Sequence, residues 1–83
     1  MTVVEIMKLA NLHPRMVRNV LVSWLKGEGD PVNKGEPLYL VETCKGVFEV
    51  CSEVEGTVQE LLVPENALVE VNQEIAMIRR CDQ

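Results

Sequence analysis

Few residues of this chain are equipped to do chemistry. Lys45 stands in Glu42-Thr43-Cys44-Lys45-Gly46, with only Cys44-Lys45 separating the apolar runs 38–43 and 46–51. Two alternating runs that close read as a β-hairpin with a two-residue turn, and Gly46 suits the last position of a type I turn. A lysine at such a tip projects into solvent, where its amine can act as a nucleophile toward an activated acyl donor. Taken alone it would be an ordinary solvated turn residue.

The other reactive residues narrow the chemistry. Three cysteines, at 44, 51 and 81, are an odd number without CxxC spacing, which argues against a disulfide framework and against a zinc site. Cys44 reads as an exposed turn residue, Cys51 as a core residue opposite the neighbourhood of Leu38, and Cys81 as part of a fraying tail. One histidine, His13, precedes Pro14 in a loop, so His-based metal sites and catalytic triads are disfavoured. Glu42, Glu49, Glu53 and Glu55 gather near the hairpin, as a docking surface for a basic partner or as edge charges that discourage strand pairing between molecules.

The elements that must hold Lys45 follow from composition and alternation. Of 83 residues, 47% are hydrophobic but only 4% aromatic. Fourteen valines make the core aliphatic and favour strands over helices. Strands are expected over 3–9, 20–25, 38–43, 46–51, 58–63 and 74–78, with a short extended stretch at 69–71. On the second, Val20, Val22 and Trp24 share a face, with Trp24 in the core. Residues 11–15 form a loop, and turns fall at 26–31, 33–37 and 64–67, with Val32 isolated between two of them.

The sequence repeats itself. A shift of 37 positions carries Asn19 onto Gly56, Trp24 onto Leu61, Gly29 onto Asn66, Val32 onto Val69, Gly35 onto Asn72 and Leu38 onto Ile75. Gly facing Asn at three turns predicts shared positive φ at several of these positions. The fold class is therefore all-β: a flattened barrel or sandwich of two quasi-symmetric four-stranded halves, filling residues 1–83 as one domain. The hairpin closes one half and the chain terminus the other.

This layout resembles the biotinyl/lipoyl-carrier family, and specifically its lipoyl domains. The resemblance rests on Trp24-Leu25-Lys26-Gly27-Glu28-Gly29-Asp30-Pro31-Val32, Lys34-Gly35-Glu36-Pro37-Leu38 and Val41-Glu42-Thr43-Cys44-Lys45, followed by Gly56-Thr57-Val58, in that order and spacing. It implies that Lys45 is the lipoyl attachment site and that lipoic acid is the cofactor, held as a covalent amide. Glu42, Thr43, Cys44, Gly46, Gly29 and Gly56 are the residues it implies for recognition by the modifying enzyme, and the loop with Asn11, His13 and Arg15 for recognition by a partner. The chain departs from the family pattern at Cys44, usually Asp, at Gly46, usually Ala, and at Asn19, usually Gly. Biotin carriers resemble Met-Lys-Met around the lysine, whereas Cys44 and Gly46 flank it here.

The resemblance further implies a carrier without catalysis of its own, serving a 2-oxo acid dehydrogenase-type complex. Its partners would be a lipoate ligase or lipoyl/octanoyl transferase, a thiamine-diphosphate-dependent 2-oxo acid dehydrogenase and dihydrolipoamide dehydrogenase. A biotinyl carrier domain and an unmodified structural barrel of the same fold are the alternatives. The formal charge of −5 disfavours nucleic acid, and no apolar run reaches the length of a membrane span. The start lacks the basic and apolar regions of a signal peptide. A monomeric domain of the cytoplasm, or of the mitochondrial matrix in a eukaryote, is expected.

Overall fold

A computed structural model describes residues 2–12 and 18–81. His13, Arg15 and the rest of 13–17, with the chain ends, lie outside the described residues. Eight strands form in chain order: β1 (Thr2–Lys8), β2 (Asn19–Trp24), β3 (Pro31–Val32), β4 (Pro37–Thr43), β5 (Gly46–Cys51), β6 (Gly56–Leu61), β7 (Ala67–Val69) and β8 (Glu74–Cys81). They make two four-stranded antiparallel sheets, ordered β5-β4-β2-β7 and β1-β8-β6-β3. Between them lie Leu21, Val41, Ile75 and Ile78, all without solvent exposure, with Leu9, Val32, Leu38, Val58 and Val69 around them.

The two sheets are copies in register, not only in strand order. Leu21 faces Val41 and Trp24 faces Tyr39; 37 positions on, Val58 faces Ile78 and Leu61 faces Ala76. Each pairing is interrupted by one bulge at the matching place, between Leu21 and Ser23 and between Val58 and Glu60. β5 pairs with β4 as β1 pairs with β8, again with matching bulges at Leu38 and at Met7/Lys8. Each sheet draws strands from both halves of the sequence, β1 and β3 with β6 and β8 in one, β2 and β4 with β7 in the other, so the symmetric halves interleave along the chain.

The turns show why Gly and Asn recur. Gly29 and Asn66 have φ of 90° and 69°, and Gly35 and Asn72 have 86° and 71°. Two matched pairs thus share the left-handed conformation that Gly and Asn adopt at least cost. The third pair does not. Asn19 is buried and donates its Nδ2–H to the Val69 carbonyl at 3.2 Å, and Gly56 is needed for closeness instead. A Cβ on Gly56 would run into the Arg79 carbonyl oxygen.

Four expectations change. The bulge in β2 breaks simple alternation: Val20 points outward opposite Glu42, while Leu21 and Trp24 both face the core. Cys51 is exposed and opposite Pro37, because β5 turns Phe48 and Val50 inward and so sends Val47, Glu49 and Cys51 out. Val32 is not isolated but pairs with Gly56 in β3. β8 runs on to Cys81, which faces Thr2, because β1 offers it a partner strand along its whole length.

Candidate functional site

The β4–β5 hairpin is built to fix a solvated lysine. Thr43 faces Gly46 across the turn, leaving Cys44 and Lys45 as its two central residues. Neither has positive φ, while Gly46 sits at φ 127°, which matches a type I turn and excludes the I′ and II′ forms. Nothing crowds Gly46 within 4 Å, so only its backbone conformation calls for glycine.

Thr43 locks the turn from below. Its side chain is 7% exposed; its Oγ1 accepts the Lys45 backbone N–H at 3.1 Å and donates to the Gly46 carbonyl at 3.5 Å. A buried hydroxyl inside the turn restrains the backbone that carries Lys45 while leaving the side chain outside. Lys45 is exposed, and among the described residues its ammonium makes no ion pair. By contrast Lys26 is held by Glu36 at 3.3 Å. A lysine amine unclamped by carboxylate, on a fixed backbone, fits a group that is to be acylated there.

Of the sequence-derived site residues, Glu42, Thr43, Cys44 and Gly46 come together around Lys45. Glu42 and Cys44 are exposed. Gly29 and Gly56 belong elsewhere: Gly29 lies in the turn between β2 and β3, its N–H donating to the Val58 carbonyl of β6 at 2.8 Å, and Gly56 opens β6 facing Val32 in the sheet opposite the hairpin's. Their geometry gives each a backbone role. Asn11 is exposed just beyond β1, and the neighbouring Ala10 N–H donates to the Tyr39 hydroxyl at 3.3 Å. Burial of the Tyr39 ring pushes its phenol above the ordinary range, against the lowering effect of that bond and with Glu53 adding to the rise.

Carboxylates brace the frame in symmetric pairs that sequence reading passed over. Glu65 accepts the Trp24 backbone N–H at 2.8 Å and the Ser23 hydroxyl at 3.1 Å; Glu28 accepts the Leu61 N–H at 3.0 Å. The signal was available, since Glu28 and Glu65 are themselves 37 apart. Glu36 accepts the Asn33 N–H at 3.0 Å as Gln73 accepts that of Glu70 at 2.8 Å. The Asn33 bond first, and then Lys26, hold the Glu36 carboxyl below its ordinary range.

A groove of about 430 Å³ lies between Pro31, Gly56, Thr57 and Arg79 on the other sheet and does not include Lys45. No group of three His, Cys, Asp or Glu side chains among the described residues is placed to hold a metal. No helix among them is long and apolar enough to cross a membrane.

Comparison with known proteins places this geometry. A family model for biotin and lipoyl attachment, described as "Biotin-requiring enzyme", matches residues 7–78. The chain is 42% identical over 71 residues to the dihydrolipoyllysine-residue succinyltransferase component of the 2-oxoglutarate dehydrogenase complex of Staphylococcus saprophyticus, covering 86% of this chain and 17% of that one. It is 43% identical over 68 residues to the dihydrolipoyllysine-residue acetyltransferase component of the pyruvate dehydrogenase complex of Rickettsia prowazekii, covering 81% and 17%. The chain thus spans about a sixth of the length of these relatives. The solution structure of the lipoyl domain of the Azotobacter vinelandii 2-oxoglutarate dehydrogenase complex superposes with a TM-score of 0.72 at 25% identity, covering 89% of this chain and 95% of that one.

Proposed function

The chain belongs to the biotin/lipoyl attachment family, and from that premise we propose that it is a lipoyl carrier domain, with Lys45 the residue that carries the group. The observation that supports this most directly is the exposed Lys45 side chain, without an ion pair among the described residues, on a turn fixed by Thr43. The matched relatives are named for a dihydrolipoyllysine residue, and Cys44 and Gly46 replace the methionines typical of biotin carriers.

In the attachment reaction Lys45 Nζ attacks the carbonyl of an activated lipoyl donor. An amide C–N bond forms, the adenylate or thiolate of the donor leaves, and the amine gives up a proton. A lipoate ligase or lipoyl/octanoyl transferase supplies that donor. Once attached, the dithiolane supplies acyl carriage and two-electron exchange. The chain's own contribution is mechanical. The hairpin keeps the attachment point at one height above a rigid pair of sheets, and tethering replaces diffusion by a high local concentration. The active sites served are those of a 2-oxo acid dehydrogenase-type complex: a thiamine-diphosphate-dependent dehydrogenase, an acyltransferase and dihydrolipoamide dehydrogenase. The loop with Asn11, His13 and Arg15 is the proposed contact for the dehydrogenase.

Intact mass of the protein purified from its native host tests the assignment. A lipoyl increment localised to Lys45, lost in Lys45→Arg with melting unchanged, is expected, because an exposed turn substitution costs under about 0.5 kcal/mol. A lipoyl group retained by that variant, or an avidin-reactive chain, would overturn the assignment.

A further inference from the structure

The internal symmetry supplies a control for every exposed position beside the hairpin. In the Lys45 sheet the cross-strand row next to the turn runs Leu68, Val20, Glu42, Val47. The symmetry-equivalent row of the other sheet, which has no lysine turn, runs Pro31, Thr57, Arg79, Val4. Register and bulges are the same, so whatever the fold demands of one row it demands of the other. The rows still differ at three of four positions: leucine for proline, valine for threonine, and a carboxylate for a guanidinium. Leu68 at 62% and Val47 at 55% are the most exposed large apolar side chains among the described residues. Glu42 lies between them, exposed and in no ion pair among those residues. Valine is exposed at the fourth position of both rows, 55% at Val47 and 40% at Val4. The difference therefore lies in Leu68 and Val20, apolar where the other row has proline and threonine, beside a carboxylate in no ion pair among the described residues. That grouping marks an interaction surface.

Reach decides which partner it fits. An extended lysine places Nζ roughly 6 Å from its Cα. An enzyme that forms a bond at Nζ must bring its own surface down onto the strands flanking the turn. An active site served by the finished arm sits beyond the arm's end and is under no such constraint. Four strands at about 4.8 Å spacing make the row roughly 15 Å long, enough for one edge of such an enzyme. Resting on the reading of Lys45 as the lipoylation site, we infer that Leu68, Val20, Glu42 and Val47 form the docking surface for the attaching enzyme. That enzyme meets the row with an apolar ridge and a lysine or arginine opposite Glu42, charge complementary to a chain of net −5.

The test imports the control row. The double variant Val20→Thr/Glu42→Arg places residues that the equivalent row already accommodates, and Leu68→Ser removes the most exposed apolar contact. Thr57→Val/Arg79→Glu makes the reverse change on the other sheet. The probe is a purified lipoate ligase with lipoate and ATP acting on the full chain, its initial rates read by intact mass. Melting of each variant is followed in parallel. The first two variants should lose at least about tenfold in kcat/KM, and the part due to Glu42 should shrink at high salt. The reverse pair should stay within about twofold. Equal rates for wild type and both row variants would overturn the docking surface while leaving Lys45 as the attachment site. Slowed acylation by a 2-oxo acid dehydrogenase with attachment unchanged would also overturn it, by assigning the row to that enzyme. A wild-type chain left unmodified by the ligase would overturn both readings.

Discussion

Gly29 and Gly56 allow the frame to be separated from the site by measurement. At Gly56 an added methyl meets the Arg79 carbonyl oxygen, with Ile78 Cγ2 at 3.0 Å and the Arg79 carbonyl carbon at 3.1 Å. These atoms belong to the neighbouring strand β8, and Ile78 is fully buried. No side-chain rotation relieves the clash, so β6 and β8 must move apart. Overpacking of this kind costs about 3 kcal/mol. At Gly29 nothing lies within 4 Å of the added atom, and the cost is the positive φ of 90° alone, about 1–2 kcal/mol for an alanine. For a domain of this size each kcal/mol moves Tm by about 4–8 °C. Gly56→Ala should therefore melt roughly 15 °C below wild type, and Gly29→Ala about 8 °C below. Circular dichroism and the fluorescence of Trp24 report the transition. That indole donates to the Val63 carbonyl at 2.8 Å and lies edge-on to Tyr39 at 5.6 Å between centroids. At a temperature where both variants are folded, Lys45 should be lipoylated at the wild-type rate, since neither glycine belongs to the β4–β5 hairpin: Gly29 is in the β2–β3 turn and Gly56 in β6. A Gly29→Ala chain less stable than Gly56→Ala would refute the steric argument. A fully folded Gly29→Ala chain that resists lipoylation would make that glycine a recognition residue.

The remaining predictions concern the braces. Tyr39→Phe should cost about 1 kcal/mol at neutral pH through loss of the bond from Ala10. Because burial raises the phenol's pKa, wild-type stability is full below the ordinary tyrosine range and falls as pH rises through the folded value. Urea melts should therefore show the gap to Tyr39→Phe closing in alkali. Glu36 works in the opposite direction: its lowered pKa contributes stability present at neutral pH and lost as pH falls through the folded value. Glu36→Gln keeps an acceptor for the Asn33 N–H, as Gln73 does in the equivalent place, but loses the charge facing Lys26, so it should be slightly less stable than wild type at pH 7, with the gap closing as pH falls through the folded value. Glu65→Ala, which strands the Trp24 N–H and the Ser23 hydroxyl, should cost about 1–2 kcal/mol and more than Glu28→Ala, whose carboxylate accepts a single bond; equal losses in chemical denaturation would count against that ranking.

Much of this molecule is written locally. The Lys45 turn is legible because two alternating runs with two residues between them can close in few ways, and Gly46 takes the positive φ its position requires. The repeat of Gly29/Asn66 and Gly35/Asn72 is legible because each turn needs a left-handed residue whatever lies around it. Strand identity follows from valine-rich alternation for the same reason. What alternation could not supply was parity and partnership. The bulge after Leu21 shifts the inward face by one residue, so Val20 points to solvent and Trp24 to the core. The two residues of β3 are a strand only because β6, far along the sequence, lies beside them and pairs with both. Cys51 faces out because Phe48 and Val50 face in, a choice made by the opposite sheet. The interleaving of the halves, and the row that places Leu68 beside Val20, Glu42 and Val47, join residues distant in sequence. Turn geometry and side-chain period are set by a few adjacent residues, whereas pairing, register and the two faces of a sheet are set by what packs across the core, and only the folded chain contains that information.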